Sequence, residues 1–432
     1  MTKFLTKELE KVHHWSPRLS GRVIHVIGLL IESYGPEVSI GEICYIFSKQ
    51  NGKIPCQVVG FKDQKVLLMS LDEMGNIYPG AEVFPTGEVH RVQVSEALCG
   101  RILDGLGRPI DGKGDLPVEK YYPVTAPPPP PLSRRPIQEI LPTGIKSIDA
   151  LSSIGKGQRM GIFSSPGVGK STLMGMIARE AQADINVIAL IGERGREVRE
   201  FVERELGPEG LARSVVVVAT ADQAALLRSK GAHVATAIAE YFRDLGKEVI
   251  LLMDSISRFA MALREIGLAA GEPPTTRGYP PSVFASLPRL LERAGNSDKG
   301  SITGFYTVLC EEEEMYDPIP EQVKSLLDGH IYLSRALAEA HFFPPVDVLK
   351  SLSRVMSQVT SEKHQREASK VRRWMQAYRE AEELIHLGAY APGSNLQIDE
   401  AIQKMAGVRQ FLAQDKQETT PLKNVLELLE KL

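Results

Sequence analysis

The feature that most constrains the fold is a change in the pattern of apolar residues after Gly155. From there, apolar β-branched runs alternate with longer stretches of helical periodicity, such as 171–183 and 222–244. The runs are RMGIFS, INVIALIGE, SVVVVAT, EVILLMDS and SITGFYTVLCE. A strand that is apolar at every position must be covered on both faces. The pattern therefore predicts a doubly wound α/β core with a parallel sheet.

The segments before and after this core have different patterns of apolar residues. From Gly21 to about His90, short apolar runs are broken by turn residues, a spacing that predicts a small β-barrel. After about Arg354 the strand texture disappears, and residues 361–390 and 395–414 have the pattern of helices. We expect four parts: a tail over 1–18, a barrel over 19–92, the core over 93–355 and a helical domain over 356–432.

The tail and the composition limit the class of protein. Phe4, Leu5, Leu9 and Val12 fall at roughly helical spacing, so the tail is either a short amphipathic helix or frayed chain. Lys and Arg number 51 against 54 Asp and Glu, and the net charge of -3 gives no global electrostatic reason to bind nucleic acid or an anionic membrane. The N-terminus lacks the apolar centre of a signal peptide, and no long apolar span follows, so we expect a cytosolic protein.

The cysteines favour a reduced environment. Cys44, Cys56, Cys99 and Cys310 are far apart in sequence, without a CxxC pair or a histidine at metal-ligand spacing. They are predicted to be buried, reduced thiols rather than a zinc or disulfide framework.

A phosphate-binding motif, SxxxxGKS, lies between a predicted strand and a predicted helix. Glycines let backbone N–H groups curl around phosphates, and the helix N-terminus adds its positive dipole. Lys170 would reach the β and γ phosphates, and Ser171 would offer a hydroxyl to Mg²⁺. Ser164 stands where this motif usually begins with glycine. The candidate nucleotide-binding residues here are Gly167, Val168, Gly169, Lys170, Ser171 and Thr172.

Two carboxylates follow other predicted strands. Asp254 ends the run EVILLMD, and a carboxylate at a strand tip beside the phosphate loop can hold Mg²⁺ through water. Glu193 follows the run VIALI, at the edge of the sheet where a group that activates water would be needed. By spacing alone, Glu193 is equally a charge at a helix N-terminus.

Several segments together resemble the type III export ATPases, the flagellar and virulence-secretion relatives of the rotary ATP synthase catalytic subunit. They are PTGIKSIDALSSIGKGQRMGIF, SSPGVGKST, IGERGREVREFV, LLMDSISRFAMALREIG, GEPPTTRGYPPSVFASLPRLLERAG and LDGHIYLSRALAEAHFFPPVDVLKSLSRV. The resemblance covers nearly the whole chain. It implies a P-loop (RecA-like) ATPase core between an N-terminal β-barrel and a helical C-terminal domain, assembled as a ring of six.

The resemblance also implies roles for individual residues. Glu193 matches the water-activating glutamate, and Arg194 the adjacent arginine that faces the γ phosphate. Phe343 matches the aromatic residue that stacks on adenine, and Tyr390 the second wall of that pocket, although core packing is the alternative for both rings. Arg354 matches the arginine offered across a subunit boundary to the neighbour's nucleotide.

The implied activity is Mg²⁺-dependent ATP hydrolysis that detaches chaperones from export substrates and unfolds those substrates at the membrane export gate. The implied partners are a peripheral stalk or regulator protein at the N-terminus, a central stalk protein and chaperone–substrate complexes. The implied location is the cytoplasmic face of the inner membrane, with peripheral association.

Three rival functions remain. A rotary ATP synthase catalytic subunit would be longer and carry an acidic DELSEED-like lever, which is not visible. A non-hydrolysing structural subunit would lack Glu193. A hexameric nucleic-acid motor would show a basic stripe or an aromatic platform in the first 90 residues, and neither is evident, so no nucleic-acid partner is expected.

Overall fold

The computed structural model describes residues 19–48, 52–72, 74–310 and 317–432. The tail over 1–18, expected to be either a short amphipathic helix or frayed chain, therefore lies outside the described residues. The described residues form two compact units: one comprises those up to His90 together with 265–273, and the other comprises those of 91–264 and 274–432.

The first unit contains a closed barrel. Its strands are β1 (Gly21–Ile27), β2 (Leu30–Tyr34), β3 (Glu42–Ser48), β4 (Gly52–Lys62), β5 (Lys65–Ser70) and β6 (Glu82–Val89), hydrogen-bonded in the order β1-β2-β5-β4-β3-β6. Side chains alternate between its two faces, so that Cys44 and Ile46 of β3 are fully buried while Tyr45 and Phe47 face outward. The predicted barrel is confirmed.

The second unit is built on a nine-stranded sheet. Its strands are β8 (Ile102–Asp104), β12 (Arg159–Ser164), β13 (Ile185–Ile191), β14 (Ser214–Ala219), β15 (Glu248–Asp254), β16 (Gly295–Asn296), β17 (Ser301–Leu309), β18 (Gly329–Leu333) and β19 (Val346–Ser353). They lie in the order β19-β18-β12-β17-β15-β13-β14-β8, with β16 beside β17. Two small ladders join β7 (Arg91–Val94) to β9 (Lys120–Pro123) and β10 (Ile140–Leu141) to β11 (Ile154–Gly155).

The central strands of this sheet are parallel, as predicted, and every residue of β13 and β14 is buried. The edge strand β19 departs from the prediction because it runs antiparallel to β18. The connection between them contains a helix of only five residues, Arg335–Glu339, and it turns back beside β18 instead of crossing the sheet.

Helices cover both faces of the sheet. They are α1 (Lys146–Leu151), α2 (Lys170–Glu180), α3 (Gly195–Glu200), α4 (Gly207–Ala212), α5 (Ala225–Asp244), α6 (Ile256–Ala269), α7 (Pro281–Leu291), α8 (Pro318–Leu326), α9 (Arg335–Glu339), α10 (Met356–Val359), α11 (Glu362–His386), α12 (Leu396–Leu412) and α13 (Leu422–Lys431). A π-helical turn, Phe201–Leu206, joins α3 to α4. Short 3₁₀ turns span Glu96–Leu98, Pro131–Ser133 and Thr276–Gly278.

The two faces of the sheet carry separate hydrophobic cores, because successive side chains of a strand point in opposite directions. In β13, Val187 and Ala189 join the core with α5 to α8, whereas Ile188 and Leu190 join the core with α1 and α2. The helical C-terminal part is confirmed, and it shares the second core. Val371 of α11, Val408 of α12 and Val425 of α13 are buried in it.

Two further expectations have structural outcomes. The four cysteines, all among the described residues, form no disulfide bond, but only Cys44 and Cys56 are buried, while Cys99 and Cys310 are partly exposed and so correct the prediction. Among the described residues, every helix is too short or too polar to cross a lipid bilayer.

Candidate functional site

The phosphate loop leaves the C-terminal end of β12 and leads directly into α2, which begins at Lys170. Gly167 and Gly169 both adopt left-handed backbone angles, with φ of 79° and 102°. A Cβ at residue 167 would meet no atom within 4 Å, so glycine is needed there for its backbone angle and leaves open space beside the loop. The local sequence thus turns a buried strand into an exposed row of backbone N–H groups at a helix N-terminus.

Lys170 lies among carboxylates contributed by neighbouring strands. Its Nζ donates to Asp254 Oδ1 at 2.6 Å and lies 3.7 Å from Glu193 Oε1. Thr307, on the strand next to β15, donates its hydroxyl to the same Asp254 oxygen at 2.7 Å. Burial lowers the pKa of Lys170, but the nearby Asp254 and Glu193 outweigh burial and hold the pKa above its usual value. Lys170 is therefore charged and in place beside the loop.

Glu193 has the properties of a proton acceptor. Burial, reinforced by the negative charge of Asp254, raises the pKa of Glu193 to about 7. Glu193 also hydrogen-bonds the carboxylate of Glu197, and this bond lowers the pKa of Glu197. A carboxyl group poised near neutral pH can both take up and release a proton under physiological conditions.

The donor set beside the loop suits a magnesium ion. Asp254 uses Oδ1 for both of its hydrogen bonds, and no described residue donates to its Oδ2. Ser171 presents an exposed hydroxyl in the first turn of α2. Carboxylate and hydroxyl oxygens are the hard ligands that Mg²⁺ prefers, so these two residues fit the ion.

A cavity of about 330 Å³ adjoins the loop. Gly169 and Thr172 form part of it, and Phe343, 44% exposed, presents its ring there. The full lining is Gly169, Thr172, Leu173, Met176, Phe343, Pro344, Pro345, Gln414, Asp415 and Lys416. Val168 is buried against the second core instead. A largely apolar slot beside a phosphate loop can take a flat aromatic base.

The structure does not bring Tyr390 to this cavity. Its hydroxyl lies 3.0 Å from both the Asn395 carbonyl oxygen and Asp399 Oδ1, in the connection between α11 and α12. The C-terminal residues that line the cavity are Gln414, Asp415 and Lys416.

The two candidate arginines lie in different places. The Arg194 side chain is 77% exposed, and its Nη1 is 3.4 Å from Glu197 Oε1. Arg354 follows β19 at the edge of the sheet opposite the phosphate loop. Ser353 pairs with Gly329 at the start of β18, whereas the loop follows the end of β12, which runs parallel to β18. The five residues of β18 span roughly 16 Å at about 3.3 Å per residue. Arg354 is exposed, and within the described chain its side chain has neither a hydrogen bond nor an ion pair.

Sequence reasoning missed three residues of this region. Thr307 fixes Asp254, and Gln414 lines the cavity. Arg258 contributes positive charge near Lys170, and its buried Nε has no hydrogen-bond partner among the described residues. Only Arg258 carried a local signal, since it lies four residues after Asp254, in the first turn of α6.

Family models match three stretches of the chain. Residues 23–87 match the beta-barrel domain of the ATP synthase alpha/beta family, and residues 144–353 match its nucleotide-binding domain. Residues 360–431 match the C-terminal domain of the T3SS EscN ATPase. The last match favours an export ATPase over the rotary ATP synthase catalytic subunit.

Individual relatives agree. The chain is 55% identical to the flagellum-specific ATP synthase of Bacillus subtilis, covering 95% of this chain and 94% of the relative. It is 51% identical to the type 3 secretion system ATPase of Xanthomonas euvesicatoria, covering 95% and 93%. The structure of the assembled ATPase EscN from enteropathogenic E. coli superposes with a TM-score of 0.90 at 42% identity, covering 95% of this chain and 99% of that one. A second structure shows EscN in complex with its central stalk EscO.

Proposed function

The chain belongs to the type III export ATPases, and on that premise we propose that it hydrolyses ATP to power protein export through a flagellar or virulence apparatus. The observation that carries the proposal is the cluster of Lys170, Asp254 and Glu193 beside a glycine loop at the carboxyl edge of a parallel sheet.

The triphosphate would bind along the loop from Gly167 to Thr172. Backbone N–H groups and the N-terminus of α2 would hold its oxygens, while Lys170 would exchange Asp254 for the β and γ phosphates. The base would enter the neighbouring cavity and stack on Phe343. Mg²⁺, held through Ser171 and Asp254, would neutralise phosphate charge when bound.

Glu193 would act on the attacking water. In its deprotonated form it can orient a water molecule and accept its proton as water attacks the γ phosphate directly, without a covalent intermediate. Arg194 is exposed at the start of α3 and would turn toward the γ phosphate when nucleotide binds.

Arg354 cannot serve its own site from the far edge of the sheet, so it would act on the nucleotide of a neighbouring copy. This requirement supports assembly as a homo-hexamer, in which each boundary completes one site. The structure of the assembled ATPase EscN, a relative of this chain, supports the proposal that copies of this chain assemble.

The output would be release of chaperones and unfolding of export substrates at the export gate. The enzyme would work in the cytoplasm, peripherally associated with the inner membrane. A central stalk protein would bind the ring, and the tail over 1–18 would dock a peripheral regulator. No nucleic-acid partner is proposed.

Replacing Glu193 by Gln tests the chemistry directly. The amide can still hydrogen-bond water but cannot accept its proton, so we expect turnover to fall by about 10²-fold or more while ATP affinity stays within twofold. Glu200→Gln, which changes a partly exposed glutamate of α3 that pairs with Arg196, is the matched control and should leave both unchanged. Equal loss of binding and turnover in Glu193→Gln would instead indicate a structural role.

A further inference from the structure

The connection between α12 and α13, residues 413–421, forms part of the base cavity, and we call it the connector. It supplies Gln414, Asp415 and Lys416 to the lining that also contains Phe343. Asp415 and Lys416 are exposed, so their positions depend on what holds the connector in place.

Gln414 is the buried anchor of the connector, at 4% exposure. Its Oε1 accepts the backbone N–H of Lys146 at 2.9 Å, and its Nε2 donates to the carbonyl oxygens of Gly144 at 2.7 Å and Glu418 at 2.8 Å. Its own backbone N–H donates to the Phe343 carbonyl oxygen at 2.9 Å. Both amide hydrogens of the side chain are used within the protein, so Gln414 holds the connector and offers neither hydrogen to a ligand.

Further contacts tie the connector to the helices behind the phosphate loop. Lys146 Nζ lies 2.9 Å from Glu418 Oε1. Burial raises the pKa of Glu418, but Lys146 outweighs burial and holds the pKa below its usual value, so Glu418 is ionised. In the last turn of α2, Arg179 donates to the Lys416 carbonyl oxygen at 2.7 Å. Its neighbour Glu180 accepts the Thr419 hydroxyl at 2.6 Å.

The groups assigned to the phosphates are separate from these tethers. The hydrogen bonds of Lys170 and Asp254 run to each other and to Thr307, and none of them reaches the connector. The base side and the phosphate side of the site are therefore held by different side chains.

We propose that Gln414, with the Lys146–Glu418 ion pair, is a positioning residue that sets the affinity for the base by holding the connector beside Phe343. The inference rests on the proposed function and adds a determinant of nucleotide recognition to it. Because the connector is already ordered in the free protein, none of the binding free energy is lost in ordering it. Only a ligand that carries a base contacts the connector, so only such a ligand binds more tightly for this reason.

Two ligands separate the base side from the phosphate side. Calorimetry on the full-length protein with Mg²⁺ would measure Kd for a non-hydrolysable ATP analogue and for inorganic tripolyphosphate, which has no base. For Gln414→Ala we expect about tenfold weaker binding of the analogue and tripolyphosphate binding within twofold of wild type. In turnover, KM for ATP should rise about tenfold and kcat should stay within twofold. Gln417→Ala, an exposed residue of the same connector, is the control and should change nothing.

A second variant keeps the test decisive where Gln414→Ala does not fold. Glu418→Gln removes one charge of a partly exposed ion pair, and we expect a two- to threefold loss for the analogue alone. Equal losses for both ligands, or no loss for either in a folded variant, would overturn the positioning role. Failure of the wild type to bind either ligand would overturn the proposed function itself, and the positioning role with it.

Discussion

The two ends of the strands in the central sheet, which we call the carboxyl edge and the opposite edge, differ in their charged side chains. Within the described part of one chain, the charged side chains at the carboxyl edge are paired, whereas the arginine at the opposite edge is not. At the carboxyl edge, Lys170 is paired with Asp254 and lies near Glu193, so the phosphate-handling charges satisfy one another. At the opposite edge, the exposed guanidinium of Arg354 has no side-chain partner among the described residues. On the proposed function, this difference predicts that a single chain folds with most of its site in place and that Arg354 acts only beside a second copy.

The largest effect on turnover should come from removing a charge at the carboxyl edge. Lys170→Ala removes the charge that would neutralise the β and γ phosphates, so we expect turnover to fall below detection in a steady-state ATPase assay. The circular dichroism spectrum should be unchanged, because Lys170 belongs to neither hydrophobic core of the sheet. Lys370→Ala, an exposed lysine paired with Glu367, is the control. Turnover within tenfold of wild type would contradict the phosphate-loop assignment.

The next largest effect on turnover should come from removing Arg354 at the opposite edge. Arg354→Ala should lower turnover by roughly 10³-fold, the lower end of the range for arginines that act across a subunit boundary. Nucleotide binding should persist, and the rise of specific activity with protein concentration should flatten. A normally active Arg354→Ala hexamer would show that Arg354 is not such an arginine.

Mixing the two variants sharpens the contrast between the edges. Rings that combine Lys170→Ala and Arg354→Ala subunits contain boundaries where an intact loop meets an intact arginine, so turnover should recover in part. Native mass spectrometry would confirm that mixed rings form. Mixed rings without activity would remove the main support for action across the boundary, once strict cooperativity around the ring is excluded.

At the carboxyl edge, the titration of Glu193 predicts a smaller effect. Because the pKa of Glu193 is raised to about 7 and its deprotonated form is the proposed base, turnover should rise by roughly tenfold from pH 6 to pH 8 and then level off. Glu197→Gln removes a hydrogen-bond partner that raises this pKa, so the midpoint of the pH–rate profile should move down. A flat profile between pH 6 and pH 8 would contradict the role of Glu193.

The smallest effect belongs to the base cavity, which supplies binding instead of chemistry. Phe343→Ala removes a stacking ring worth about 1 kcal/mol, so Kd for ATP should rise roughly fivefold while kcat is retained. Phe343→Tyr keeps the ring and should bind ATP like the wild type. Equal Kd values for the alanine and tyrosine variants would show that the ring does not stack on the base.

Much of the fold could be predicted because its signals are local. The run VIALI is apolar at five consecutive positions and lies within the fully buried strand β13, and the phosphate motif follows the end of strand β12 as the sequence predicts. The direction of β19 could not be predicted, since it depends on the path of a short connection.

Several features of the site depended on long-range contacts. Gln414 is separated by 268 residues from Lys146, with which it hydrogen-bonds, and no local pattern marks it. The sequence likewise did not predict that Tyr390 lies away from the cavity. Its position depends on the path of the connection between α11 and α12, where its hydroxyl contacts Asn395 and Asp399.

By itself, the sequence determined the alternation of buried strands and helices, the glycines of the phosphate loop and the chemical types of the catalytic candidates. These depend on residue periodicity and backbone freedom, which act over a few neighbouring residues. Only the tertiary structure decided that Thr307 fixes Asp254, that the connector lines the base cavity and that Arg354 lies at the far edge of the sheet. Those outcomes depend on strand order and packing, in which residues distant in sequence compete for the same contacts.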